Sequence, residues 1–196
     1  MPQHTKTHPL IVLYEETENK DFPLILIIGR EPNNKVPFED VVGKYDFKKS
    51  PHCAFWNMAY KLIGESNNLS TKRLKEICNM KRSSIICFTD SLPITIISKE
   101  RNKKQIRRSL DSQIVKEHID KIFSKRIIKR VKLILLSGLN HKEFENSVRR
   151  IKEYCFKNSI EYYEIPFLYP SNYKNITLDN NKKDLIRKIF NNWIIT

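Results

Sequence analysis

Four short apolar runs recur along the chain, at Leu24–Ile28, Ser84–Phe88, Val131–Leu136 and Glu161–Phe167, and Leu10–Tyr14 is a candidate for a fifth. Amphipathic stretches separate them. Ser50-Pro51 reads as a helix start, with serine as N-cap and proline in the first turn, and Phe55, Ala59 and Leu62 follow at helical spacing. Ile114 to Ile127 repeats apolar residues on one face through Ile119, Ile122 and Phe123. Asn140 with Glu143 reads as a capping pair ahead of the stripe Phe144, Val148, Ile151 and Cys155, and the last helix carries Leu185, Ile189 and Trp193. Strands that alternate with helices predict an α/β fold: three α/β/α layers around a mostly parallel sheet of four or five strands.

Such sheets bind ligands outside the carboxyl ends of their strands. That rule singles out four stretches: GREPNN, FTDSLP, SGLNHKEF and FLYPSNYKN. In the first, an apolar strand runs into Gly29, Arg30, Glu31 and Pro32, and the proline stiffens a turn that aims one carboxylate. A solvated glutamate in a tight turn is the plain alternative.

At 196 residues and 40% hydrophobic content the chain is read as one domain, 1–196, with a sizeable core. A net charge of +14 and a pI near 9.6 favour a polyanionic partner, although AT-rich coding bias also enriches Lys, Asn and Ile. Six of these cations crowd SKERNKKQIRRS, residues 98–109, which reads as a basic, mobile surface loop able to touch a nucleic-acid backbone. Cys53, Cys78, Cys87 and Cys155 are spread without a CxxC, as for reduced, buried thiols in the cytoplasm. No run reaches a membrane span, and MPQHTKTHPLIVLYEE lacks the pattern of an export signal. The five histidines form no metal or nucleophile constellation: His4 and His8 lie in a terminal tail, and His52, His118 and His141 on or beside helices. With four glycines in all, the chain has no glycine-rich phosphate loop.

Taken in order, GREPN, CAFWNMAY, TDSLP and YPSNYKN resemble the motifs of the uracil-DNA glycosylase superfamily over roughly residues 20–193. The resemblance implies a cofactor-free, metal-free single domain that binds DNA as a monomer, extrudes a nucleotide and hydrolyses its N-glycosidic bond. It makes Glu31 the carboxylate that positions water and stabilises a cationic sugar. Asp90 matches the base-reading position, with a turn cap, or Thr89 as the true match, as alternatives. An ionised aspartate only accepts, so it would repel uracil O4 and suit the N4 amino group of cytosine. Asn33 stands where relatives often wall off the base 5-position with tyrosine, and it leaves room for a substituent. Together they point to a modified cytosine of the kind some phages carry, and hence to antiviral defence. Repair of uracil or another deaminated base is one alternative, and a catalytically silent nucleic-acid binding module is another. Tyr169 replaces the family histidine that assists base departure. Tyr45, with Phe47 as substitute, would stack on the base, and Arg30 joins the base-binding set. Ser171, Asn172 and Tyr173 would hold the opened DNA, unless Tyr169 and Tyr173 simply pack on the sheet end. Phe55 and Trp56 are expected in the core.

Overall fold

The computed structural model describes residues 4–6, 11, 21–31, 54–96 and 100–196. Two short strands, β1 (His4–Lys6) and β4 (Ile94–Ile96), pair antiparallel, which places His4 in a strand rather than a loose tail. The main sheet comprises β2 (Leu24–Gly29), β3 (Ile86–Asp90), β5 (Val131–Ser137) and β6 (Glu161–Ile165). Its order is β3-β2-β5-β6, and every pairing is parallel. All six residues of β2 are buried, as are all of β5 except Lys132, which accounts for their unbroken apolar sequence.

The four expected strands are present, with ends shifted by one or two residues. Ser84 stands outside β3 because its hydroxyl accepts from the Ile86 amide at 3.0 Å and meets the Tyr60 hydroxyl at 3.0 Å. That local bond competes with strand pairing. At the other end of the sheet β6 stops at Ile165, immediately before Pro166, which has no amide hydrogen to offer a ladder. Of the stretch Leu10–Tyr14 only Ile11 is described; it belongs to no strand and packs half-buried against the core.

Helices cover both faces. On one lie α1 (Ala54–Ser66), α2 (Thr71–Lys81) and, from the far end of the sequence, Asn180–Ile195. The Ser50-Pro51 start lies outside the described residues, but Phe55, Ala59 and Leu62 are buried as their spacing predicts, and so is Trp56. Arg187 donates to the Ser66 carbonyl at 2.6 Å, and the Lys81 ammonium donates to the carbonyls of Trp193 and Ile194 at 3.1 and 2.8 Å. Trp193, fully buried, meets Phe22 edge-on with centroids 6.4 Å apart.

The basic stretch 98–109 differs from expectation. Residues Glu100–Arg108 form a helix, α3, rather than a mobile loop. It contains neither glycine nor proline and is rich in Lys, Arg and Gln, all good helix formers. Its apolar residue Ile106 packs with Ile94 in a small cluster, which Leu110 joins to the main core.

The opposite face carries α4 (Ser112–Phe123) and α5 (Glu145–Lys157). Phe123 stacks on Tyr154 at 3.7 Å, and Arg150 pairs with Asp120 at 2.8 Å. The apolar repeat expected to run to Ile127 breaks at Phe123; Ile127 and Ile128 are buried from a short 3-10 turn, Arg126–Arg130. The Asn140–Glu143 capping pair is absent too. A 3-10 turn, Lys142–Phe144, opens that segment with no side-chain cap, because the Glu143 carboxylate is engaged elsewhere. A one-turn helix, α6 (Pro170–Tyr173), precedes the last helix, α7 (Asn180–Ile195), whose N-cap Asp179 accepts from the Lys182 amide at 2.9 Å.

Among the described residues no helix is long and apolar enough to cross a membrane. Cys78, Cys87 and Cys155 are buried free thiols, each pushed up to about 12 chiefly by burial.

Trp193→Ala should cost about 3–5 kcal/mol, the range for removing a buried tryptophan. Urea unfolding would register this as a lower midpoint with an unchanged slope; an unshifted midpoint would mean that α7 contributes little to holding the sheet.

Candidate functional site

The chain leaves β2 for β3 on one side and later returns to place β5 on the other. Connections therefore diverge between β2 and β5, and the crevice beyond their carboxyl ends is the site that topology favours. Arg30 fills it. Its Nε donates to the Gly138 carbonyl at 3.0 Å, and its guanidinium lies 5.1 Å from the Phe167 ring and 6.0 Å from the Phe144 ring. Gly138 has φ of +70°, and a Cβ there would stand 2.7 Å from Phe167 Cβ and 3.0 Å from Arg30 Nε. Both the left-handed backbone and the close approach need glycine.

Next to Arg30, the Glu31 carboxylate is gripped at both oxygens by Arg107 of α3. Arg107 Nε donates to Oε2 at 3.1 Å, and Nη2 donates to Oε1 in a shorter contact. The third edge of the guanidinium faces Glu143 Oε1 at 3.5 Å. All three side chains are nearly buried, with 5% of Arg107, 9% of Glu31 and 7% of Glu143 exposed. Arg107 also lies 5.3 Å from the Phe144 ring. Glu143 Oε2 is buried without a hydrogen-bond partner, so the network is satisfied on one side only. In a water-poor setting a bidentate pair of this kind is strong and directional, and removal of one member strands the others.

Asp90 ends β3 beside Gly29, and its Oδ1 would stand 3.0 Å from a Cβ placed on that glycine. The turn that carries it is pinned from several elements. The Ser91 amide donates to the Gly29 carbonyl at 2.9 Å, and the Ser91 hydroxyl donates to the Arg30 carbonyl at 2.7 Å. His118 Nε2 of α4 meets the Asp90 carbonyl at 2.9 Å, and the Ser147 hydroxyl of α5 donates to the Ser91 carbonyl at 3.2 Å. Burial, and then the charge of Glu31, push the Asp90 carboxyl up to about 8. At neutral pH it is therefore mostly a neutral acid, able both to donate and to accept. Thr89, the other candidate reader, is buried within β3, and its hydroxyl has no partner. Burial lowers the His118 pKa, and its Nδ1 is likewise unpartnered.

Asn33 and Tyr45 lie outside the described residues, as do Phe47 and His52. Tyr169 is half exposed at the N-cap of α6. Ser171 is exposed, its hydroxyl 3.5 Å from Asn172 Oδ1, and Asn172 Nδ2 donates to the Phe167 carbonyl at 3.2 Å. Tyr173 turns toward α1: its hydroxyl donates to Glu65, and Lys61 Nζ sits 4.3 Å from its ring. Burial and the Glu65 bond push the Tyr173 phenol upward. His141 is exposed ahead of the Lys142 turn. Among the described residues no group of three or more His, Cys, Asp or Glu could hold a metal ion.

Sequence reasoning missed Arg107 and Glu143. The signals were Ile106 within a glycine- and proline-free basic run, and an acidic residue in a stretch already placed at a strand's carboxyl end. No family model matches the chain, and neither does any curated protein or solved structure.

The raised Asp90 pKa also bears on stability. From its ordinary value of 3.8 up to about 8, the folded state keeps a proton that the unfolded state has released. Stability should therefore decline as pH rises through that window. Asp90→Asn, which cannot ionise, should match wild type near pH 4 and exceed its Tm at pH 9. Parallel Tm curves for the two proteins over this range would show that Asp90 ionises normally.

Proposed function

We propose that the chain is a DNA glycosylase that hydrolyses the N-glycosidic bond of an extruded, cytosine-type base, the activity implied by its resemblance to the uracil-DNA glycosylase superfamily. The observation that carries this reading is the meeting of two unlike carboxyl groups, Glu31 and Asp90, at the ends of adjacent parallel strands. One is paired with a guanidinium, the other held as an acid. Such divergence between neighbouring titratable groups is what separate catalytic roles require.

Glu31 is the group for water and for the cationic sugar. As the bond from C1′ to the base breaks, its electrons leave with the base, and a carboxylate beside the sugar offsets the positive charge. Water then attacks C1′, and its proton passes to Glu31. Tyr169 would donate to the departing base, and Ser171 and Asn172 would contact backbone phosphate.

Asp90 reads the base in its neutral form. Its O–H donates to cytosine N3 while its carbonyl accepts from N4. Turned over, the same acid donates to uracil O4 and accepts from N3–H. The exclusion of uracil argued from an ionised aspartate therefore holds only above about pH 8. Below that, selection for a modified cytosine falls to the space around the base 5-position, where the sequence offers Asn33. Defence against DNA with phage-type modified cytosine is the role that fits such a preference.

A second reading has its own support. Both oxygens of Glu31 are occupied by Arg107, as befits a protein that binds nucleic acid without cutting it.

Oligonucleotides carrying one uracil, cytosine, hydroxymethylcytosine or glucosylated hydroxymethylcytosine test the alternatives, with alkaline cleavage of abasic sites as readout. We expect cleavage at modified cytosine, with Glu31→Gln at least about a hundredfold slower and DNA binding retained. Unchanged turnover in Glu31→Gln would remove the mechanism. Cleavage at uracil would indicate repair, and binding without any cleavage would favour the silent module.

The pH profile gives an independent test. Excision of a cytosine-type base should fall as pH rises through about 8, where the Asp90 anion would face the N3 lone pair. Asp90→Asn should flatten that fall; a fall that persists in the variant would assign it to another group.

A further inference from the structure

We propose that α3 is a docking element for backbone phosphate, and that Arg107 transfers its guanidinium from Glu31 and Glu143 to a phosphodiester when nucleic acid arrives. The proposal rests on the nucleic-acid reading above and concerns the part of the molecule that reading leaves unused.

The helix has the right composition. Its sequence is ERNKKQIRR, with no acidic residue after Glu100. Lys104 and Arg108 stand one turn apart, on the same face, and both are exposed. Arg107, next in sequence to Arg108, points instead into the mouth of the sheet. One helix therefore presents two cations to solvent and a third at the candidate reaction centre. A phosphate chain running along the exposed pair would be led toward Arg107.

Arg107 is also matched to the exchange. The planar fork that grips Glu31 fits a phosphodiester equally well, since both ligands offer two oxygens at similar spacing. Its hold on the two carboxylates is uneven: two contacts to Glu31, then a long 3.5 Å contact to Glu143, whose other oxygen has no partner. The Glu143 contact is the one to yield first. Anchorage of α3 permits such a shift, because Ile106 packs in a small cluster with Ile94 that meets the main core through the half-buried Leu110. Once Arg107 has moved, the Glu31 carboxylate is open to water and to the sugar. In the absence of DNA it is covered, so the reactive carboxylate is exposed only by its own substrate.

Arg107→Ala is a poor test, since it strands two buried carboxylates and threatens the fold. The wild-type protein can be read directly through the Arg107 Nε–H resonance in a 15N–1H spectrum, titrated with a short unmodified oligonucleotide. We expect that signal to shift as DNA binds. Glu143→Gln, which weakens the competing ligand, should bind the oligonucleotide several-fold more tightly in fluorescence anisotropy. Lys104→Ala/Arg108→Ala should bind several-fold more weakly and lower the slope of log K against log salt by about two. An Arg107 signal that stays fixed while DNA saturates the protein would overturn the exchange, as would Glu143→Gln binding no more tightly than wild type. An unaltered salt slope in the double variant would overturn α3 as the docking element. None of these readouts needs base release. Arg107 that responds in a protein that excises nothing would keep the docking proposal and sink the glycosylase reading, and excision with Arg107 unmoved would do the reverse.

Discussion

The burial of β2 between β3 and β5 governs the rest of the molecule. With neighbours on both edges and helices on both faces, the strand has no solvated surface, and no polar side chain occurs from Leu24 to Gly29. Charge first appears where the strand ends, so Arg30 and Glu31 emerge together at the boundary of the core. A charged pair at that boundary cannot be fully hydrated and must find partners in the protein. Gly138, Phe167 and Phe144 receive Arg30, and Arg107 receives Glu31. The chemistry of the mouth follows from the dryness of the strand behind it.

Charge balance then links Glu31 with Arg107, Glu143 and Asp90. One guanidinium is shared by two carboxylates, and Asp90, close to the same negative charge, keeps its proton. A fully ionised Asp90 would add a third anion beside two carboxylates that already share the Arg107 guanidinium. Protonation is the less costly arrangement, and it turns an acceptor into a group with both hydrogen-bonding capacities. His118 and Ser147 contribute by holding the Asp90–Ser91 backbone, not by touching the carboxyl. The glycine beneath it completes the arrangement by leaving the carboxyl room over the end of β2.

Much of the scaffold was legible in the sequence because burial writes itself as pattern. Continuous apolar runs marked the parallel strands, and the 3.6-residue stripes marked α1, α4, α5 and α7. What escaped notice depended on partners distant in the chain. In α3, Ile106 is the sole strongly apolar residue among charges, so the helix left almost no periodicity. Glu143 three residues after Asn140 carries the signature of a cap, and nothing local reveals that Arg107 claims it instead. The protonation of Asp90 is likewise a property of its surroundings, since the residue type alone implies an anion. Glu31 and Asp90 could be placed at the sheet mouth from sequence; their shared cation could not.

The strand order has a further consequence, for how the molecule is made. Ile25 pairs with Ile86 on one edge, and Leu24 pairs with Val131 on the other. Neither partner is nearby in the chain, so β2 gains its contacts only after large loops close, a slow search in folding. During that interval LILIIG is an unpaired apolar segment with high affinity for another copy of itself. The excess of 14 positive charges acts against such encounters by keeping nascent chains apart. The basicity of the finished chain thus protects its central strand before the fold exists.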